Sequence, residues 1–251
     1  MCKLITVIKE NDNNDKIIIS ALKAQAKIVK KEPHGIAALV LTKKNKVIIK
    51  KSLDDYNSVL NWAYDNVKNA KIISIHSRQA TSGKKDKKNL HYFSSGGYFL
   101  AHNGVTGKII EKTYAWSNIE RPGKFIKESR FKDFKEDEMC DSYHFLTKIK
   151  KPMDLQDIEI AMDDENFYGI GIIIDTKKEK LYSFGTRELK IHTNFKDYSI
   201  HYSFEPKDSL YFSRKFMGFE IEGDNETRID LDTKSILPGV YSYSYNNTKK
   251  K

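Results

Sequence analysis

Met1-Cys2-Lys3-Leu4-Ile5-Thr6-Val7-Ile8 opens the chain, and the reading of its first two residues governs the rest. A cysteine at position 2 is small enough to allow removal of the initiator methionine. Removal leaves a thiol and a free α-amino group on one residue. The amine titrates near ~7.7–8.0 and a free thiol near ~8.5. Nucleophile and general base then share a residue, with pKa values close to working pH. The structural alternative is a small packed hydrophobe at the start of a strand over residues 4–8.

Composition sets the limits. The chain has 251 residues, 39% hydrophobic and 31% charged, which is a globular balance with ample length for a core. Its longest apolar run, Ile170-Gly171-Ile172-Ile173-Ile174, is far too short to span a bilayer, so no membrane role is expected. The charges Lys9, Glu10 and Asp12 close to the N-terminus do not fit a secretory signal. Two cysteines, Cys2 and Cys140, make neither a disulfide framework nor a four-ligand zinc site. A reducing, cytoplasmic setting is the expectation. The net charge of +10 favours anionic partners, nucleic acid among them, although scattered lysines also make an ordinary solvated surface.

Periodicity predicts a strand over 4–8, a helix over 17–31, and a strand pair over 36–41 and 46–50. A helix over 54–67 and a buried strand over 72–76 follow. Residues 77–97 read as loops around a site, and residues 98–102 as a strand. Residues 108–137 are long, charged and weakly patterned. Helices are expected over 141–150 and 154–162, then strands over 168–174, 180–184, 198–204, 209–213 and 240–245. Strand runs and helix runs are segregated, which argues for an α+β layered fold. Residues 247–251 form a basic tail after a single domain over 2–246.

Four segments carry chemistry-bearing residues. They are Met1-Cys2, His76-Ser77-Arg78-Gln79-Ala80-Thr81-Ser82-Gly83, Asn89-Leu90-His91 with Ala101-His102-Asn103-Gly104, and Asp141-Ser142 at a helix start. In this order they resemble the class II glutamine amidotransferases, the N-terminal-nucleophile type. The match runs through Cys2, Arg78, Ala80, Thr81, Gly83, Asn89, His91, Asn103, Gly104 and Asp141 and spans roughly residues 2–175. Pro33-His34-Gly35-Ile36-Ala37 resembles the glycine-containing segment that leads into a strand in that family.

The resemblance implies a four-layer αββα sandwich of mainly antiparallel sheets, with hydrolysis of L-glutamine through a thioester on Cys2. It makes Cys2, Asn103 and Gly104 the catalytic set. Arg78, Ala80, Thr81, His91 and Asp141 become the substrate-binding set, with His91 ordering the site rather than acting as its base. The family uses no metal or other cofactor for this step.

The chemistry agrees with the residue types. Arg78 can clamp an α-carboxylate bidentately, or serve as a surface ion pair. Asp141 can pair an α-ammonium, or cap a helix. The Asn103 amide and the Gly104 N–H can donate to a tetrahedral oxyanion, each such donor lowering the barrier by ~3–4 kcal/mol. Asn-Gly is also a hairpin signal, and both readings stand at this point.

Gln79 stands where the family commonly has an aromatic residue, and Ser82 where it commonly has a histidine. His34 and Cys140 read as structural. The run Lys84-Lys85-Asp86-Lys87-Lys88 reads as a solvated loop. The family's acceptor chemistry sits in a second domain or subunit, so a separate ammonia-accepting synthetase is the expected partner. Two other readings are an N-terminal-cysteine hydrolase of another acyl amide and a catalytically inactive binding module.

Overall fold

Strand β1 (Lys3–Lys9) shows how the layers arise, because all seven of its residues are buried. Successive side chains point to opposite faces of a strand. Leu4 and Ile8 go to one face, packing with Ala37, Leu39, Ile72, Ala101 and Ile172. Ile5 and Val7 go to the other, packing with Ile18, Leu22, Val59 and Leu60. A strand covered on both faces belongs in the middle of a layered molecule.

The computed structural model describes residues 2–9, 15–29, 34–80, 85–106, 140–186, 189–194, 198–203, 232–236 and 239–244. The remaining strands are β2 (Ile36–Thr42), β3 (Val47–Ser52), β4 (Ala70–Ser77), β5 (Phe93–Ser95), β6 (Tyr98–Val105), β7 (Tyr168–Asp175), β8 (Lys180–Gly185), β9 (Leu189–Asn194), β10 (Tyr198–Ser203), β11 (Asp232–Ile236) and β12 (Gly239–Ser244). Among the described residues they form a seven-stranded sheet, β11-β9-β10-β1-β4-β2-β3, and a five-stranded sheet, β12-β8-β7-β6-β5. The pairings are antiparallel.

Helices α1 (Asp15–Val29) and α2 (Tyr56–Asp65) cover the outer face of the larger sheet. Their buried residues recur at helical spacing: Ile18, Ala21, Leu22 and Gln25 on the first, Val59, Leu60 and Ala63 on the second. Helices α3 (Asp141–Lys148) and α4 (Leu155–Asp164) cover the smaller sheet through Phe145, Leu146, Ile158 and Ala161. A third apolar cluster, containing Leu4, Leu39, Leu90, Tyr92 and Ile174, fills the space between the sheets. Three cores between four layers make the expected αββα sandwich.

Local chemistry explains the boundaries. Asp55 caps α2 by accepting from the Ser58 N–H at 2.9 Å, and residues Val67–Asn69 form a separate 3-10 turn. Asp154 and Asp157 form a reciprocal capping box at the start of α4. The loop expected over 77–97 contains the last residue of β4, a 3-10 turn at Lys87–Asn89, and β5.

The strand expected over 98–102 continues to Val105, so Asn103 and Gly104 lie inside β6, opposite Ile170 and Gly169. That excludes the hairpin reading of the Asn-Gly pair. β9 and β11 were not expected. The strand expected over 209–213, the segment 108–137 and the tail 247–251 lie outside the described residues. No helix among the described residues is long and apolar enough to cross a membrane.

Candidate active site

Antiparallel pairing brings the start of β1 to the end of β4. Lys3 pairs with Ser77, which sets Cys2 beside the turn that follows β4. The Gln79 N–H donates to the Cys2 sulfur at 3.3 Å, and the thiol donates to the Gln79 carbonyl at 3.5 Å. The backbone N–H and carbonyl of one residue therefore bracket the half-buried thiol.

The thiol faces a small cleft that is partly open to solvent. Arg78 and Gln79 wall it from the larger sheet, His102 and Gly104 from the smaller one. His91 comes from the connecting segment, and Cys140, Asp141 and Ser142 from the start of α3.

Residues 34 and 35 hold the turn after β4. The Arg78 N–H donates to the Gly35 carbonyl at 2.8 Å, and the His34 N–H donates to the Arg78 carbonyl at 3.2 Å. Gly35 sits at φ +110, and a Cβ there would lie 2.8 Å from Leu90 Cδ2 and 2.9 Å from the Ser52 carbonyl. His34 Nδ1 accepts from the Ala80 N–H at 2.6 Å, so His34 is structural, as expected. Ala80 lies beside the cleft without lining it. Thr81, Ser82 and Gly83 are outside the described residues.

The smaller sheet offers a strand edge. Gly169 uses its N–H on Thr186 Oγ and its carbonyl on the Thr186 N–H. Gly104 and Gly169 are thus a non-hydrogen-bonded pair of the ladder, the kind whose backbones approach most closely. The Gly104 N–H lies on the edge of β6 turned away from β7. On that side β5 pairs only with residues 98–100 and has ended. His102 shares the parity of Gly104. Its N–H donates to His91 Nδ1 at 2.9 Å, and its carbonyl accepts from His76 Nε2 at 3.1 Å. Asn103 is buried between them, on the face that Phe99 and Ala101 turn toward the other sheet.

Three histidines join the sheets here. The His76 and His91 rings stack at 3.9 Å with planes 3° apart. A carbonyl only accepts, so His76 carries its proton on Nε2. An N–H only donates, so His91 Nδ1 is bare. Burial pushes His76 down to about 3. Burial, then the neighbouring His76 and His102, holds His91 well below the ordinary range. Burial thus favours the neutral form of both rings. His102 reaches Ser142 Oγ at 3.1 Å through Nδ1 and the Tyr168 carbonyl at 3.3 Å through Nε2.

At α3, Cys140 occupies the cap position and Asp141 is the first helical residue, so Asp141 is not the cap. Its Oδ2 accepts from the Thr106 N–H at 3.0 Å, tying the helix to the end of β6. Asn89 is fully buried and its Oδ1 accepts from the Cys140 N–H at 2.9 Å, which sets where the helix begins. Burial, then the Asp141 charge, pushes the Cys140 thiol up to about 12, so it stays protonated. Arg78 and Asp141, both buried, give the one cleft a cation and an anion. Among the described residues no three His, Cys, Asp or Glu side chains converge to hold a metal ion.

The structure thus gathers Cys2, Arg78, His91, Gly104 and Asp141 around one cleft, with Asn103 immediately behind it. The wall also contains His102, Ser142 and Cys140, and His76 supports it. The sequence reading gave none of these a role in the wall. A signal was present, since three of the chain's seven histidines flank the Arg78 and Asn103 segments.

No family model matches the chain, and no curated protein matches it. Among solved structures it is similar to a glutamine phosphoribosylpyrophosphate amidotransferase from B. subtilis, with 13% identity and a TM-score of 0.58 over 98% of this chain. This chain spans 50% of that one. At that identity the likeness is one of fold. Two weaker likenesses are to a glutamine aminotransferase class-II domain protein from Silicibacter pomeroyi and to a predicted glutamine amidotransferase from Pseudomonas aeruginosa. The first has 10% identity and a TM-score of 0.46, covering 97% of this chain and 99% of that one. The second has 13% identity and a TM-score of 0.43, covering 97% and 93%.

Proposed function

We propose that the chain hydrolyses L-glutamine, with Cys2 as nucleophile once Met1 has been removed. One observation carries this reading. The thiol nearest the N-terminus is bracketed by the backbone N–H and carbonyl of Gln79 inside a cleft that also holds Arg78 and Asp141. A buried cation and a buried anion on opposite elements fit the two charged ends of a free amino acid.

In this mechanism Arg78 receives the α-carboxylate and Asp141 the α-ammonium. The side-chain amide then lies over the thiol. The α-amino group of Cys2 takes the thiol proton, and sulfur attacks the amide carbon. The oxyanion accepts from the Asn103 amide and the Gly104 N–H. The intermediate collapses, the C–N bond breaks, and the protonated α-amino group returns its proton to the departing ammonia. Water then cleaves the γ-glutamyl thioester by the reverse proton path and releases glutamate.

The ammonia goes to a separate synthetase partner. The +10 charge tilts the acceptor toward an anionic, nucleotide-type molecule, and the name of the B. subtilis protein contains an anionic phosphorylated sugar. A pull-down that recovers no ATP-dependent or sugar-handling enzyme counts against this partner.

A second reading, hydrolysis of another acyl amide, draws on one observation. Gln79 is half-buried at the thiol, where the resembling family has an aromatic cover.

Intact-protein mass before and after 6-diazo-5-oxo-L-norleucine, with and without excess glutamine, separates the readings. Loss of Met1 and one adduct on Cys2, blocked by glutamine, is the expected result. An adduct that glutamine does not block favours the other amide. A retained Met1 defeats the catalytic reading and leaves a binding module.

A further inference from the structure

Lys51 lies on edge strand β3, outside the cleft wall, yet it is tied to the site by sheet register. Lys51 pairs with Ala37, and Ala37 pairs with His76. Directly opposed residues share a face, so Lys51, Ala37 and His76 form one row across the larger sheet. They point into the space between the sheets, where Ala37 belongs to the central core. The segment that crosses above this row is Leu90-His91-Tyr92.

Each end of the row grips that segment. His76 stacks beneath the His91 ring. Lys51 Nζ donates to the Leu90 carbonyl at 2.5 Å and to the Tyr92 carbonyl at 3.2 Å. The two carbonyls flank His91, and Ala37, between the grips, packs in the same core cluster as Leu90 and Tyr92. The ammonium also lies 5.8 Å from the centroid of the Phe93 ring.

The consequence passes along named hydrogen bonds. His91 Nδ1 holds the His102 N–H, which sits on the same open edge of β6 as the Gly104 N–H. Asn89, one residue before the gripped segment, holds the Cys140 N–H and so the position of Asp141. We infer that Lys51 is a positioning residue for the oxyanion-binding edge of β6, acting through the Leu90-His91-Tyr92 segment. The catalytic form of this statement rests on the glutamine-hydrolase reading, whereas its structural form does not.

The test is Lys51→Met, which keeps the aliphatic stem beside Phe93 and removes the donor, with Lys51→Arg as the conservative partner. Two readouts are taken. Amide hydrogen exchange at His102 is expected to be at least about tenfold faster in Lys51→Met, with core amides such as Val7 and Ile73 unchanged. Lys51→Arg is expected to restore most of the protection. With glutamine as substrate, kcat is expected to fall roughly tenfold to a hundredfold while KM stays within about twofold, because a misaligned oxyanion donor is felt mainly in the transition state.

Unchanged His102 exchange in Lys51→Met overturns the inference. So does acceleration shared equally by all core amides, which marks general destabilisation. If the wild-type protein turns over no glutamine, the hydrolase reading fails on its own, and His102 exchange still decides the role of Lys51. If the wild type is active and Lys51→Met changes KM but not kcat, the residue acts on the binding groups and the oxyanion assignment is wrong.

Discussion

Replacing Gly104 with alanine tests the close approach of β6 and β7. A Cβ at this position would lie 2.0 Å from the Tyr168 carbonyl oxygen, 2.7 Å from the Gly169 Cα and 2.6 Å from His102 Nε2. Ordinary contact begins at 3.4 Å, so the first pair must separate by 3.4 − 2.0 = 1.4 Å. Two of the three obstacles are backbone and cannot rotate away. Overpacking of this kind costs about 1–3 kcal/mol. For a chain of this size that lowers Tm by roughly 2–12 °C, at about 2–4 °C per kcal/mol.

The catalytic effect is larger. The displaced strand carries the Gly104 N–H, and a misplacement near 1 Å costs about a hundredfold in rate. Thermal unfolding followed by circular dichroism reads the first quantity, and glutamine turnover the second. The expected outcome is a folded protein with a lower Tm and at least about a hundredfold lower kcat. A Tm within about 1 °C of wild type, outside the overpacking range, would refute the backbone-on-backbone packing of β6 and β7. An altered Tm with full activity would refute the role of this edge in the reaction.

Other consequences can be checked separately. Native protein treated with iodoacetamide near pH 8 should gain one carbamidomethyl group, on Cys2, because Cys140 is buried with its thiol pushed up to about 12; two additions before unfolding contradict the described burial. Asp141→Asn keeps an acceptor for the Thr106 N–H and removes the charge, so KM for glutamine should rise about tenfold to a hundredfold; an unchanged KM removes Asp141 from ammonium binding. Burial holds His76 and His201 down to about 3 and His91 well below its ordinary value. Above about pH 6.5 these rings are neutral in both folded and unfolded chains and stability is intact. Below it the unfolded chain binds protons that the folded one refuses, and each ring removes about 1.4 kcal/mol per pH unit until its folded pKa is reached. The urea midpoint should therefore fall between pH 7.5 and 5.5, and a constant midpoint would show that these rings are not held neutral.

Much of the layering was legible because its signals are local. β1, β4 and β7 are near-continuous apolar runs, which is how strands buried on both faces read. β11, by contrast, is Asp232-Thr233-Lys234-Ser235-Ile236 at a sheet edge, where backbone pairing rather than an apolar face makes the strand. At the site, Cys2, Arg78, Asn103-Gly104 and Asp141 were legible as motifs. The scaffold that orients them was not. Lys51, Ala37 and His76 form a row only through two strand registers, and no window of sequence contains all three. The cap position of Cys140 likewise depends on a hydrogen bond to Asn89 across 51 residues. Asn103-Gly104 stayed ambiguous because a turn and a strand edge use the same dipeptide. The pairing with Ile170 and Gly169 decides it.

The thiol and the Gly104 N–H ride on different sheets, with an apolar core and a histidine bridge between them. Either sheet can have every strand correctly paired and still hold only half of the chemistry. A nascent chain that has built its sheets but not docked them carries an ordinary cysteine and an ordinary strand edge. On the mechanism proposed above, the nucleophile and its oxyanion donor face one another only in a molecule whose two sheets are docked.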